Sequence, residues 1–266
     1  MTRYQSLKTI ILIFGAFSFS FNLNNTIHEF GHAVADWASG IPTSSIHIII
    51  HPFFAPHMNI EGGIPDSLVG FPDAAGPLAS VVIGLLVFAL LWKARKPYLL
   101  PFLFLGPLAS VQEGMGLIVN VSQTGTDAAR IIAAGFPVSL LIAICVLLLV
   151  GGMILLTLLI PVTGIPPGYP FPKLFGTMVA GILPYGIITL IVSALLSTNQ
   201  ADISRSWNII AGFALIATLI SVLYRLLGRM VQRISFRGDH LVNWSSSLIA
   251  VGLLIVLVVL ELIFLN

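Results

Sequence analysis

Asn24-Asn25-Thr26-Ile27-His28-Glu29-Phe30-Gly31-His32 sets two imidazoles and a carboxylate inside a run, about residues 8–38, that otherwise has the length and apolar character of a membrane-spanning helix. On a helix, His28 and His32 lie one turn apart on the same face, so both can bind one metal ion. Glu29 beside them can take a proton from a metal-bound water, whose pKa zinc lowers from about 15.7 to about 7. This HExxH pattern therefore predicts zinc-dependent peptide hydrolysis. Ionisable groups at membrane depth cost about 2.5 kcal/mol or more each on insertion scales, so they mark a functional site rather than a solvated helix face. Ser18, Asn22, Asn25, Glu29, His32 and Asp36 recur at steps of three and four, which predicts one polar stripe facing an interior or a wet cavity.

Outward from that segment, composition sets the class. Of 266 residues, 57% are hydrophobic and 8% charged, where a soluble domain carries about 25% charged residues. So little polar surface cannot cover a water-soluble globule, and an all-α polytopic membrane protein in contact with the lipid bilayer is expected. The net charge of +2 carries no nucleic-acid signal. Seven transmembrane helices are predicted, at about 8–38, 74–92, 97–119, 136–160, 174–196, 207–228 and 244–265. With that count Arg3, Lys8, Lys93, Arg95, Lys96, Lys173, Arg225, Arg229, Arg233 and Arg237 fall on one side, and Arg130 and Arg205 on the other. This bias predicts a multi-pass protein of the cytoplasmic membrane with its N-terminus in the cytoplasm and Asn266 outside. The opening residues, basic and then apolar, have the form of a secretory signal, and an uncleaved first span is expected because the HExxH segment continues it. The single cysteine, Cys145, lies in an apolar run and is expected to be a packing residue.

Residues 41–73 differ from their surroundings, with five prolines and neither Lys nor Arg. Ser44 to His51 is rich in β-branched residues, and Met58 to Ile60 can pair back on it, so a short β-hairpin or re-entrant segment is expected after the first span. A strand edge beside a protease site lets an extended substrate add to it. His47, His51 and His57 in this segment are alternative metal ligands, with hydrogen bonding to water or backbone the expected role. The domain organisation predicted is a metalloprotease core over 1–135, comprising three spans and the β segment, followed by an accessory four-helix region over 136–266.

A catalytic zinc takes three protein ligands and leaves one position open. HExxH supplies two, and either Asp127, in the turn Gly125-Thr126-Asp127, or Glu113, within the third span, can supply the third. Asp36, one turn past His32, is placed to hold that imidazole's free N–H, and Asn22, Asn25 or Asn120 to steady an oxyanion or a substrate backbone. Thr126 or Asp127 can also cap a short helix through Ile131 and Ile132.

His28-Glu29-Phe30-Gly31-His32 in the first long apolar segment, Ala75-Gly76-Pro77-Leu78-Ala79, and Asn120 followed by Asp127 together resemble the site-2 protease family of intramembrane zinc metalloproteases. The resemblance covers about residues 20–130. It implies Asp127 as third ligand, with Asn120 matching the asparagine of the family's second motif, one Zn2+ per chain, Glu29 as the catalytic base, and membrane-spanning segments of other proteins as substrates. A transporter holding an ion in transit predicts further ionisable residues along the later helices, which carry few. A non-catalytic relative that binds membrane partners is the other alternative.

Overall fold

The computed structural model describes residues 3–49, 57–61, 70–94, 96–196, 200–228, 230–231 and 242–264. A 36-residue helix, α1 (Arg3–Ala38), is its axis; at 1.5 Å per residue it is about 54 Å long, well beyond the ~30 Å of a bilayer's hydrocarbon. A Schellman turn stops it: Gly40, at φ 96°, donates to the Trp37 carbonyl and Ile41 donates to that of Asp36. The chain then makes the expected hairpin, β1 (Ile46–Ile49) antiparallel to β2 (His57–Ile60), with Ile46 opposite Ile60 and Ile48 opposite Met58.

Helix α2 (Phe71–Leu91) starts three residues before the apolar run suggests, because the Gly70 N–H donates to the Asp73 carboxylate at 2.8 Å and closes its first turn. The third span is broken into a 3-10 turn (Pro97–Leu99), α3 (Leu100–Leu103) and α4 (Leu105–Asn120). Next come the short α5 (Asp127–Ala133), α6 (Val138–Leu159), α7 (Phe171–Leu196), α8 (Gln200–Leu226) and α9 (Trp244–Phe264). Seven helical segments among the described residues are long and apolar enough to cross a membrane. The protein is an all-α polytopic fold with one small hairpin. Helix α8 begins earlier than its apolar run.

Helix α1 lies against α2, α7 and α9, while α4 packs between α2 and α6 and α7 against α8. The core gathers Leu12 and Phe17 of α1, Leu108 of α4, Leu156 of α6, Tyr185 of α7 and Phe213 of α8. Phe17 and Phe21 meet Phe213 edge-on, with ring centroids 4.9 Å and 5.2 Å away. Apolar side chains such as Leu90, Leu147 and Leu195 point outward, the face a bilayer covers. Cys145 is buried among Leu117, Ala128, Ile131 and Leu141, in keeping with a packing role.

Small residues set the α1–α2 distance. A Cβ on Gly31 would come 2.7 Å from Ala79 Cβ and 2.9 Å from Gly76 Cα, and one on Gly76 would strike the His32 imidazole. The Ala75-to-Ala79 segment therefore lets α2 lie directly on the face that carries the histidines.

Candidate metal centre

Helix α1 turns His28 and His32 toward the cleft between α4 and α5. Their Nε2 atoms are 3.0 Å apart, and Asp127 Oδ2 lies 3.2 Å from that of His28 and 3.5 Å from that of His32. Tetrahedral zinc with N and O ligands at about 2.0–2.1 Å sets neighbouring donor atoms about 3.3 Å apart. The three donors thus have the spacing of three corners of such a site. Two imidazoles and a carboxylate with a fourth position free is also the donor set of a catalytic rather than a structural zinc. Among the described residues, these three form the group that can hold a metal ion.

The remaining ring nitrogens decide the tautomers. His32 Nδ1 is 2.7 Å from the Pro72 carbonyl oxygen, which can only accept, so Nδ1 carries the proton and Nε2 keeps its lone pair. His28 Nδ1 donates to Glu113 Oε1 at 2.9 Å, and the Ser80 hydroxyl donates to the same oxygen at 2.8 Å. Both Nε2 lone pairs therefore converge on Asp127, an arrangement that a cation stabilises.

Local sequence explains how Asp127 is presented. Gly125 turns the chain at φ 78°, and Thr126 caps α5 by accepting from the Ala129 N–H at 3.4 Å. The Thr126 hydroxyl also lies 2.8 Å and 3.0 Å from the carbonyls of Gln123 and Asn120, tying the turn to the end of α4. Ala128 and Ile131 anchor the inner face of α5 in the apolar cluster around Cys145. Three residues after Asp127, Arg130 Nη1 donates to Asp73 Oδ1 on α2 at 3.2 Å.

These donors open into a cavity of about 390 Å³ whose wall includes Glu29, Asn25, Gln112, Asn120, Met58 of β2 and Asp36. Glu29 is buried, at 7% exposure, directly after His28 in sequence and on the same cavity as both histidines. Asn25 accepts from the Gln112 side-chain amide.

Several sequence expectations change at this level. Glu113 sits on the Nδ1 side of His28, where it orients that ring, and not beside the Nε2 atoms as a third ligand would. Asp36 does not hold the free N–H of His32, because the Pro72 carbonyl already does. Asp36 is fully buried, and neither of its carboxylate oxygens has a hydrogen-bond partner among the described residues. The stripe on α1 faces inward as expected, but onto two different surroundings: Ser18 and Asn22 into the bundle, where Asn22 accepts from the Tyr185 hydroxyl at 2.6 Å, and Asn25, Glu29, His32 and Asp36 onto the cavity. His47 pairs with Glu61 at 3.4 Å on the exposed hairpin. His51 and the side chain of His57 lie outside the described residues.

Pro72, Asp73, Ser80, Gln112 and Arg130 were not singled out for the site by the sequence. The available signal was scarcity. In a chain with so few charges, Asp73 at the head of a span and Arg130 one turn past Asp127 are conspicuous. The chain has no significant match among protein-family models, curated proteins or solved structures.

Proposed function

We propose that this protein is an intramembrane zinc metallopeptidase of the site-2 protease type, cutting peptide bonds in or near transmembrane segments of other membrane proteins. The observation that carries the reading is the convergence of His28 Nε2 and His32 Nε2, on a helix long and apolar enough to span a membrane, with Asp127 Oδ2 of α5 at zinc-ligand spacing, while Glu29 lines the same cavity. One zinc per chain would be held by those three residues. When bound, it supplies a Lewis acid that activates water for attack and polarises the scissile carbonyl.

The chain's own residues do the rest. Glu29 accepts a proton from the attacking water and returns it to the departing amine, so the peptide C–N bond breaks as the new C–O bond forms. Glu113 and the Pro72 carbonyl hold the two imidazoles in the tautomer that leaves Nε2 free. The amides of Asn25, Gln112 and Asn120 on the cavity wall are placed to bond a substrate backbone. That backbone must be locally unwound, since a helix hides its carbonyls in its own hydrogen bonds. The hairpin, whose Met58 reaches the cavity, offers a strand edge on which an unwound segment can extend. Residues 136–266 act as an accessory region that braces α1. The chain is oriented with its N-terminus in the cytoplasm, as the basic residues favour.

The test is zinc content and cleavage of a reporter transmembrane substrate by the detergent-purified protein. Wild type is expected to hold one zinc and to cleave. Glu29→Gln keeps its zinc and cleaves about 10²–10⁴-fold more slowly, and Asp127→Ala loses zinc. Zinc binding with no cleavage of any transmembrane substrate by wild type would overturn the protease reading in favour of ion handling or partner binding.

A further inference from the structure

The third metal donor stands on a short element that cannot hold itself in place. Helix α5 has seven residues, below the length at which a helix is stable alone, and the Asp127 side chain is 32% exposed where that of Glu113 is 7%. We propose that the Arg130–Asp73 ion pair is the clasp that seats Asp127, making Arg130 and Asp73 positioning residues that set metal affinity. The proposal rests on His28, His32 and Asp127 being the metal ligands.

Asp127 and Arg130 are one turn apart on α5 and both face the cavity. With Asp127 aimed at the imidazoles, Arg130 reaches across to α2, where Asp73 is 5% exposed and already fixed by the Gly70 N–H. The adjacent residue, Pro72, supplies the carbonyl that orients His32. One turn of α2 therefore supports two of the three donors, His32 directly and Asp127 through Arg130. Arg130 is also the one Arg or Lys among the described residues lining this cavity, against the carboxylates of Glu29, Asp36, Asp73, Glu113 and Asp127. Without it, Asp73 is a buried charge with no counter-ion among the described residues, and α5 loses its ion-pair tie to the first turn of α2.

Zinc affinity of the detergent-purified full chain, measured by competition with a chelating indicator, tests this. Arg130→Met is expected to weaken zinc binding about ten- to hundredfold, the range for residues that orient a metal's ligands. Asp73→Asn should do the same, and the double variant should be no worse than either alone. Thermal unfolding of each zinc-free variant identifies any that fails to fold, in which case Arg130→Gln replaces it. Unchanged affinity in Arg130→Met, or a double variant whose loss is the product of the two single losses, would overturn the clasp while leaving the metal centre intact. A wild type that takes up no zinc would overturn the metal centre itself and the clasp with it.

Discussion

Glu113 shows what one side chain can be asked to do inside a bilayer. A carboxylate there is costly unless it is matched, and this one accepts from both the His28 ring and the Ser80 hydroxyl. It is remote from the Nε2 side, so its influence on a metal passes through the basicity and orientation of His28. Glu113→Gln keeps an oxygen that can accept from Nδ1–H but removes the charge, and zinc affinity should fall about tenfold; Glu113→Leu removes both and should approach a hundredfold loss. Chelator competition measures each. If Glu113 were itself a ligand, Glu113→Gln would instead empty the site as completely as Asp127→Ala. Spacing offered both acids and did not choose between them, because it does not show which ring nitrogen an acid will reach; only the family resemblance favoured Asp127.

Helix α1 and helix α2 make the site by approaching closely, and that approach is readable in the small residues of both. At Gly76 the absent Cβ leaves room for the His32 ring. Gly76→Ala is expected to push His32 out of line, lowering zinc occupancy and costing about 1–3 kcal/mol in stability through overpacking. Gly252→Ala on α9, with open space around the added carbon, is the control and should leave both unchanged. Zinc stoichiometry and thermal unfolding in detergent distinguish the two. The hairpin was legible from its β-branched run, and the helix count from apolar length. Starts were not: α2 begins early because Asp73 satisfies the Gly70 N–H, a capping interaction that lies outside hydrophobic patterning.

The whole bundle is wound around α1, and the contacts that hold it come from both ends of the chain. Gln5 donates to the Val242 carbonyl, Thr9 to that of Thr163, Thr26 to Glu261 and Tyr185 to Asn22. Glu261, a buried acid on α9, thus meets the turn just before His28. Residues 1–135 expressed alone lose the helices that flank α1 on two sides and are expected to bind zinc at least tenfold more weakly than the full chain. Co-expression with residues 136–266 should restore binding; chelator competition on both preparations checks it, and a fragment that binds as the full chain does would show the accessory helices to be dispensable for the centre.

Sequence alone determined that this chain lives in a membrane, that seven helices cross it with a hairpin after the first, and that two imidazoles share a helix face. Each of these is written in local periodicity, in apolar run length or in a four-residue spacing. Only the tertiary structure decided that Asp127 and not Glu113 meets the Nε2 atoms, that Pro72 and not Asp36 orients His32, that Asn22 turns to Tyr185, and that Arg130 spans to Asp73. Those partners stand 40 to 163 residues apart. Their meeting is set by how whole helices pack and by which side of a ring faces which neighbour, and no local pattern of residues carries that.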